Sequence, residues 1–495
     1  MPDRYIREES ERRDMDEETA ISSELEESLQ QHRRGSESSG TLAVSDQEGY
    51  VGDTITFQGR NFPADEEYEI RWHSTDGRWG ILEANEVVGP QYQPRTETVA
   101  TVTTDDSGEF DEEWTVAEDY GGAHRIEVVD GEATVATAEY TILPWFELDT
   151  TEATLGDFFT LTGYGIGPNV VTNNYQVAWD NANMGFMTGV MNRGTATARI
   201  RAVGPPGKHT LQVWRNYRGV PYLQNNTQSP YGPVADGRQS QWTVEVTPRE
   251  DPPRTAWLDP QLDESPISTH YPPIDADTDA EIEITPTSGQ PGTTAFISGQ
   301  NFPAETEVDL IWYRHEGHRV KGIPITPEPK PDMLPTVTTD ENGGFQVEVG
   351  IPTGEGSTRP ITAAVDGREV AVTGFMMQPS IETFAPDRGP VGTTIEIELS
   401  GVGWPVYENA PYFLYDNKPL GYVCGLTDDD GGGVVRLEIP AAGEPGWHFI
   451  DVYPMIFEMQ QDEPDFELRP HLSYLDNHPM RPLPAWHFAF EVTEE

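Results

Sequence analysis

The sequence predicts a mostly β chain: four tandem β-sandwich domains in A-B-A-B order, preceded by a short N-terminal helix. Three observations carry this. First, apolar residues recur with period two: Tyr68, Ile70 and Trp72 in "YEIRW", Val308, Leu310 and Trp312 in "VDLIW", Ile395, Ile397 and Leu399 in "TIEIEL". That alternation marks half-buried antiparallel strands. Second, Gly-rich punctuation separates such runs about every ten residues, the spacing of short sandwich strands. Third, the chain repeats itself. "GYVGDTITFQGRNFPADEEYEIRW" at 49–72 returns as "GQPGTTAFISGQNFPAETEVDLIW" at 289–312, with ten of 24 positions identical.

The repeat extends well beyond that stretch. "TVTTDDSGEF" at 101–110 answers "TVTTDENGGF" at 336–345. Two further units begin "LGDFFTLTGYG" at 155 and "VGTTIEIELSGVG" at 391; they continue into "WDNANMGF" and "YDNKPLGY", then into "PPGKHTLQVW" and "EPGWHFIDVY". Matched landmarks in the two halves lie 235 to 240 residues apart, so a two-domain block is duplicated.

In chain order, residues 1–40 come first. Ile21, Leu25 and Leu29 recur at i, i+4 and i+8, with acids in the early turns and His32, Arg33 and Arg34 before Gly35, which predicts a helix. Its apolar stripe is one residue wide, so it is expected to anchor or oligomerise the chain by packing on something else, with "SESSG" as a flexible joint. The sandwiches follow: A1 over 41–144, B1 over 145–248, A2 over 281–378 and B2 over 379–495. Residues 249–280, rich in Pro and Asp, are expected to be a semi-stiff linker. B1 and B2 each hold a long insertion near the last hairpin, 214–241 and 453–486, far longer than ordinary hairpin loops.

The strings "ITPTSGQPGTTAFISGQNFP" and "FAPDRGPVGTTIEIELSGVGWP" resemble the opening of the IPT/TIG immunoglobulin-like domain: strand, Pro, Gly turn, Gly-Thr-Thr, strand, Gly, then an Asn-Phe-like turn. "TTDENGGF" also resembles bacterial and archaeal Ig-like repeats. The resemblance covers about residues 41–493 and implies four Ig-like sandwiches. It says little about activity, because the family occurs in adhesins, surface receptors, phage virion proteins and accessory modules of polysaccharide-degrading enzymes. B1 and B2 depart from the pattern at their insertions.

Charge narrows the setting. Acidic residues number 85 against 31 basic, a formal net charge of -54, and the acids are spread along the chain. Such a surface repels itself in dilute buffer, whereas at about 1 M salt the Debye length is near 3 Å and the repulsion is screened. The composition therefore fits a protein adapted to molar salt, as in halophilic archaea and their viruses. With 12 Trp, 19 Tyr and 18 Phe the chain has the rings to build cores, unlike an acidic disordered protein. No basic footprint for nucleic acid is present. Cys424 is the only cysteine, which excludes an intrachain disulfide and a cysteine zinc cluster. Residues 1–35 lack an apolar signal core, and no apolar run has the roughly 20 residues of a membrane span.

No catalytic motif stands out: GxSxG, a P-loop and GxGxxG after a strand are all missing from the sequence. His124, His209 and His448 share the pattern Gly-x-His-x-apolar-x-Val at one equivalent position in three domains, which predicts ring packing and not a shared metal. His315 and His318, with Glu316 in "YRHEGHRV", lack HExxH spacing and are expected on a loop after a strand. The turns around Asp105, Asp340 and Asp428 offer carboxylates to Ca²⁺ or Mg²⁺, yet their spacing is that of hairpin turns, so no cofactor is expected. Trp72, Trp179, Trp312 and Tyr415, one per domain on the predicted central strand, are expected core rings. Tyr217, Tyr222 and Tyr231 in the first insertion, with Phe457, Phe466 and Tyr474 in the second, have the composition of partner-binding loops; the competing expectation folds the insertions back as lids on a neighbouring domain.

The expectation from these readings is a non-enzymatic structural protein at the surface of a halophilic archaeal virus particle: a capsid decoration, turret, spike or tail-surface component. It would assemble in the host cytoplasm, join other virion proteins through its N-terminal segment, form a homo-oligomer and face a host-surface glycan or protein. The competing expectations are a cell-surface or S-layer-associated adhesin and a carbohydrate-binding accessory module.

Overall fold

The computed structural model describes residues 40–82, 86–168, 174–217, 220–221, 223, 238–260, 274, 278–316, 328–403, 411–425, 432–455, 470–477 and 485–494. The expected N-terminal helix with Ile21, Leu25 and Leu29 lies outside them. Within them the chain is built of strands, in eight sheets that fall into four pairs, one three-stranded and one larger sheet per predicted domain. This is a series of Ig-like β-sandwiches. By compactness the chain divides into two units: Met1–Ser74, Arg95–Ala117 and Ala123–Thr141 form one, while Thr75–Pro94, Glu118–Gly122 and Ile142–Glu495 form the other.

In the first unit the strand Thr54–Arg60 lies between Thr41–Val44 and Phe110–Thr115. Its alternate residues Ile55, Phe57 and Gly59 face inward, as the period-two sequence requires. Gly59 is glycine for a steric reason: a Cβ there would enter the ring of Phe110. Opposite lies the sheet carrying Glu67–Leu82 and Gly122–Asp130, where Trp72 pairs with Ile126 and is buried against Tyr140 and Trp114.

The second unit repeats this layout three times. A2 reproduces the contacts of the opening motif: Gly299 approaches Phe345 as Gly59 approaches Phe110, and Asn301, like Asn61, has φ of 64°. That left-handed residue turns the chain so that Phe302 is buried and its N–H donates to Gly343 O at 3.1 Å, as Phe62 N–H donates to Gly108 O at 3.1 Å. The Asn-Phe-Pro run and the acidic turn are thus two halves of one corner, closed by Thr104 and Thr339, whose hydroxyls donate to Pro63 O and Pro303 O at 2.7 and 2.6 Å.

In B1 and B2 the aromatic-Asp-Asn strings are two-residue hairpin turns. Asp180 and Asn181 have φ of 46° and 65°, Asp416 and Asn417 of 46° and 60°, the paired left-handed geometry of a type I′ turn. The linker departs from expectation: Ala256–Leu258 is not a free spacer but a strand paired antiparallel with Trp486–Phe488 of B2. Between A2 and B2, Gly356 N–H donates to Val402 O at 2.8 Å, and Gly401 O sits where a Cβ on Gly356 would go.

Candidate functional site

Among the described residues, a cluster of buried charged side chains lies where B1, the Ala256–Leu258 strand and B2 meet, inside the second unit. Arg201 ends the B1 strand Ala196–Arg201, one alternation after Arg199, so its side chain leaves the B1 core on what would be a solvent face. B2 covers that face. The Arg201 side chain is 0% exposed and Asp451, on the B2 strand Gly446–Tyr453, is 1% exposed. Arg201 Nε donates to both Asp451 oxygens at 3.0 and 2.9 Å, Nη2 donates to Oδ1 at 2.6 Å, and Nη1 donates to Gly156 O at 3.0 Å. Phe158, Trp257 and Phe449 enclose the guanidinium, their ring centres 4.3, 4.9 and 5.0 Å from its carbon.

The network continues from Asp451. His487, on the last B2 strand, sets Nδ1 2.6 Å from Asp451 Oδ1. Its Nε2 lies 3.2 Å from Asp259 Oδ1, close enough for ion pairing but off the line of a good hydrogen bond. Asp259, directly after the linker strand, also meets Arg199 Nη1 at 3.3 Å and accepts from the Tyr474 hydroxyl. Asn417, at the B2 hairpin turn, donates from Nδ2 to Arg201 O at 2.9 Å. Six segments of the chain, around Arg199 and Arg201, Asp259, Asn417, Asp451, Tyr474 and His487, therefore share one buried polar cluster.

Electrostatics follow from this packing. Burial pushes the Asp451 carboxyl up, but Arg201 and His487 outweigh it and bring it down to about 2. Burial likewise opposes ionisation of Asp259, and His487, Tyr474 and Arg199 together hold it below the usual carboxylate range. Burial, reinforced by the neighbouring Asp259, pushes the Tyr474 phenol well above its ordinary value. Both carboxylates thus stay ionised while buried.

The histidines of the shared motif are ring-packing residues. His124 stacks on Trp72, His209 on Trp179 and His448 on Tyr415, at 4.6, 5.1 and 5.7 Å between ring centres. In the B domains the turn aspartate clamps the ring: Asp180 Oδ2 meets His209 Nδ1 and Asp416 Oδ2 meets His448 Nδ1, both at 2.6 Å. The other oxygen accepts the next backbone N–H, from Thr210 or Phe449, at 2.9 Å. In A2 the register places Arg359 at this position, since Trp312 pairs with Ile361 as Trp72 pairs with Ile126. Arg359 is fully buried and pairs with Glu355 at 2.8 Å.

The remaining predicted residues are placed as follows. Trp72, Trp179 and Trp312 are buried. Tyr415 is only half-buried, packed on the edge of the B2 core, because its hydroxyl reaches out to donate to Ala442 O at 2.8 Å. Asp105 accepts Ser107 and Glu109 N–H, and Asp340 accepts Asn342 and Gly344 N–H, at 2.8 to 2.9 Å; these backbone bonds depress both carboxyls. Asp428 lies outside the described residues, and among those described no group of three His, Cys, Asp or Glu could hold a metal. His315 and Glu316 fall within the strand Glu307–Glu316, not on a loop after it; His318 lies outside the described residues. Tyr217 closes the strand Gly207–Tyr217, while Tyr222, Tyr231, Phe457 and Phe466 lie outside the described residues.

Tyr474 is buried, so no external partner reaches it. The segment Pro470–Asn477 lies on B1: His471 bridges to Phe186, Ser473 Oγ accepts Thr188 N–H at 3.0 Å, and Asn477 Oδ1 accepts Met191 N–H at 3.0 Å. This part of the second insertion is a fold-back cover. Sequence reasoning missed Arg201, Asp451, His487 and Asp259 altogether. The one available signal was a charged residue amid aromatic neighbours, as in "FIDVY" and "AWHFAF".

No protein-family model matches the chain, and no curated protein matches it. Solved structures with some likeness include the native conformation of E. coli alpha-2-macroglobulin, at TM-score 0.18 and 10% identity over 82% of this chain and 29% of that one. Salmonella alpha-2-macroglobulin reacted with methylamine gives TM-score 0.18 and 10% identity over 92% and 31%. The Yersinia pseudotuberculosis adhesin InvE gives 0.16 and 13% over 48% and 58%. The chain spans less than a third of the length of these two macroglobulin chains, and likeness this slight leaves function to be argued from the chain's own residues. Among the described residues no helix is long and apolar enough to cross a membrane.

Proposed function

We propose that the chain is a non-enzymatic structural protein, an array of IPT/TIG-type sandwiches on the surface of a halophilic archaeal virus particle, serving particle stability or attachment. The observation that carries this reading is the buried cluster of Arg201, Asp451, His487 and Asp259. Buried charged groups join B1, the linker strand and B2 here, and groups that are 0 to 4% exposed do not meet a solute substrate. A joint of this kind suits a protein that must hold its domains in place. The net charge of -54 suits a surface working in molar salt, where exposed ion pairs are screened and a dehydrated one is not. The carbohydrate-module alternative calls for exposed aromatics on one face; the exposed aromatics among the described residues, Tyr50, Phe296 and Tyr422, belong to three different sandwiches.

Immunogold electron microscopy of purified particles tests the proposal. An antibody raised against the purified chain is expected to decorate particle exteriors at regular positions. Gold confined to host envelope fragments would overturn the virion reading in favour of a cell-surface protein.

A further inference from the structure

Equivalent edge strands of B1 and B2 have different surroundings. The strand Ala182–Thr188 ends the large sheet of B1, and Lys418–Tyr422 ends that of B2. They match at a constant offset of 236 residues. Phe186 faces Gln176 as Tyr422 faces Tyr412, and the register shifts at the same place, after Val177 and after Phe413. In B1 the cover segment from B2 occupies the outer edge. Phe186 N–H donates to Pro470 O at 3.0 Å, and Leu472 N–H donates to Phe186 O at 2.8 Å. His471 therefore lies parallel to Phe186 and stacks its ring on it, with 5.1 Å between centres. Leu472, the next residue, turns to the opposite face and joins the core that holds Met184 and Met187. A Cβ on Gly185 would meet Pro470 O, so glycine lets the segment approach.

In B2 the same edge is bare among the described residues. Val423 N–H donates inward to Pro411 O at 3.1 Å, so the two-residue period turns the N–H and C=O of Tyr422 outward, where they have no partner among the described residues. Leu420 and Tyr422 are 52% and 48% exposed, whereas Met184, at the place of Leu420, is buried. Val423, at the place of Met187, is partly buried where Met187 is fully so. A Cβ on Gly421 would meet nothing within 4 Å. The strand follows Asn417, whose side chain donates to Arg201 O, so the bare edge runs on from the B1–B2 joint.

We propose that the Leu420–Tyr422 edge of B2 is a docking site for an extended segment of another protein, added as a parallel strand. The occupant of the equivalent B1 edge gives its chemistry. It offers a carbonyl to Tyr422 N–H, lays a His or aromatic ring on the Tyr422 ring, and places an apolar residue directly afterwards on the core side beside Val423, donating its N–H to Tyr422 O. The chain's own segment of this kind, Pro470–Leu472, is buried on B1 and is not free to serve B2. Docking also covers exposed apolar side chains on an edge that otherwise invites unspecific strand pairing.

Peptide binding tests this. The probe is the end-blocked peptide PHLSYLDN, the sequence of residues 470–477, added to the full chain in molar salt, and hydrogen exchange of the Tyr422 amide is the readout. With a Kd of about 1 mM, exchange at about 10 mM peptide is expected to slow about tenfold. Tyr422→Lys should weaken binding about three- to tenfold by removing the ring stack. A peptide with Leu472→Pro lacks the N–H for Tyr422 O and should give no protection. No protection by the unaltered peptide at about 10 mM, or equal protection by the Pro variant, overturns the docking site. Sedimentation of the chain alone tests the choice of occupant: self-association that Tyr422→Lys abolishes overturns it in favour of a second copy, and an assembly state unchanged by Tyr422→Lys supports it.

Discussion

Replacing Asp451 with Asn keeps the shape of the side chain and removes one charge from the buried cluster. Asp451, 1% exposed, receives three contacts from Arg201, at 2.6 to 3.0 Å, and one from His487 at 2.6 Å. Breaking a buried pair while leaving its partner charged costs about 3–5 kcal/mol, whereas water and salt screen an exposed pair such as Arg436–Glu398. A chain of several domains does not unfold in one step, so the local opening energy is the quantity to read. Native-state hydrogen exchange of the Ala489 amide, bonded to Thr255 O at the cluster, reports it. In molar salt, Asp451→Asn is expected to lower that opening energy by about 3–5 kcal/mol. Arg436→Met should leave it unchanged, and Arg201→Met with Asp451→Leu should recover most of the loss because no charge is then stranded. An Asp451→Asn effect no larger than that of Arg436→Met would mean that burial adds nothing to the Arg201–Asp451 pair.

Other predictions follow the same physics. The folded Asp451 carboxyl, held at about 2, lies below its unfolded value of about 3.9; its contribution is present above about pH 4 and lost as pH falls toward 2, so acid exchange profiles should lose that step in Asp451→Asn. For His448, burial lowers the pKa and Lys418 lowers it further, but Asp416 and Glu444 O prevail and raise it; its contribution is full below about pH 6.5 and fades as pH rises through the elevated value. Asp416→Asn should bring the His448 titration, followed by NMR on labelled histidine, down in pH. Gly156→Ala should destabilise the B1–B2 contact by about 1–3 kcal/mol, since its Cβ would enter the ring of Phe449 and its φ is +87°; thermal unfolding checks this. Tyr474→Phe removes a donor to ionised Asp259 and should cost about 1.5–3 kcal/mol by the Ala489 exchange readout.

Much of the sandwich architecture was legible because it is local. Tyr68, Ile70 and Trp72 alternate in sequence because they alternate across a sheet, and Asn61 and Asn301 recur because one corner demands a left-handed residue twice. The stacked histidines were legible for the same reason, although the Asp180 and Asp416 clamps were not, since a turn residue gives no sign of the neighbouring strand it will meet. The buried cluster was illegible for a different reason. Arg201 and Asp451 are 250 residues apart, and each sits at the outward position of a strand, where a charge ordinarily means solvent. Only the packing of B2 on B1 buries them. Ala256–Leu258 was hidden by its setting, a three-residue strand inside a Pro-rich stretch too short to show alternation.

The most direct test of the central claim, a structural protein of a virus particle, is quantitative mass spectrometry of gradient-purified particles from the source of this sequence. Peptides from all four sandwiches are expected at one fixed ratio to the major capsid protein across independent preparations and after washing in molar salt. Absence of the chain from those particles, or a ratio that falls with each wash, would contradict it.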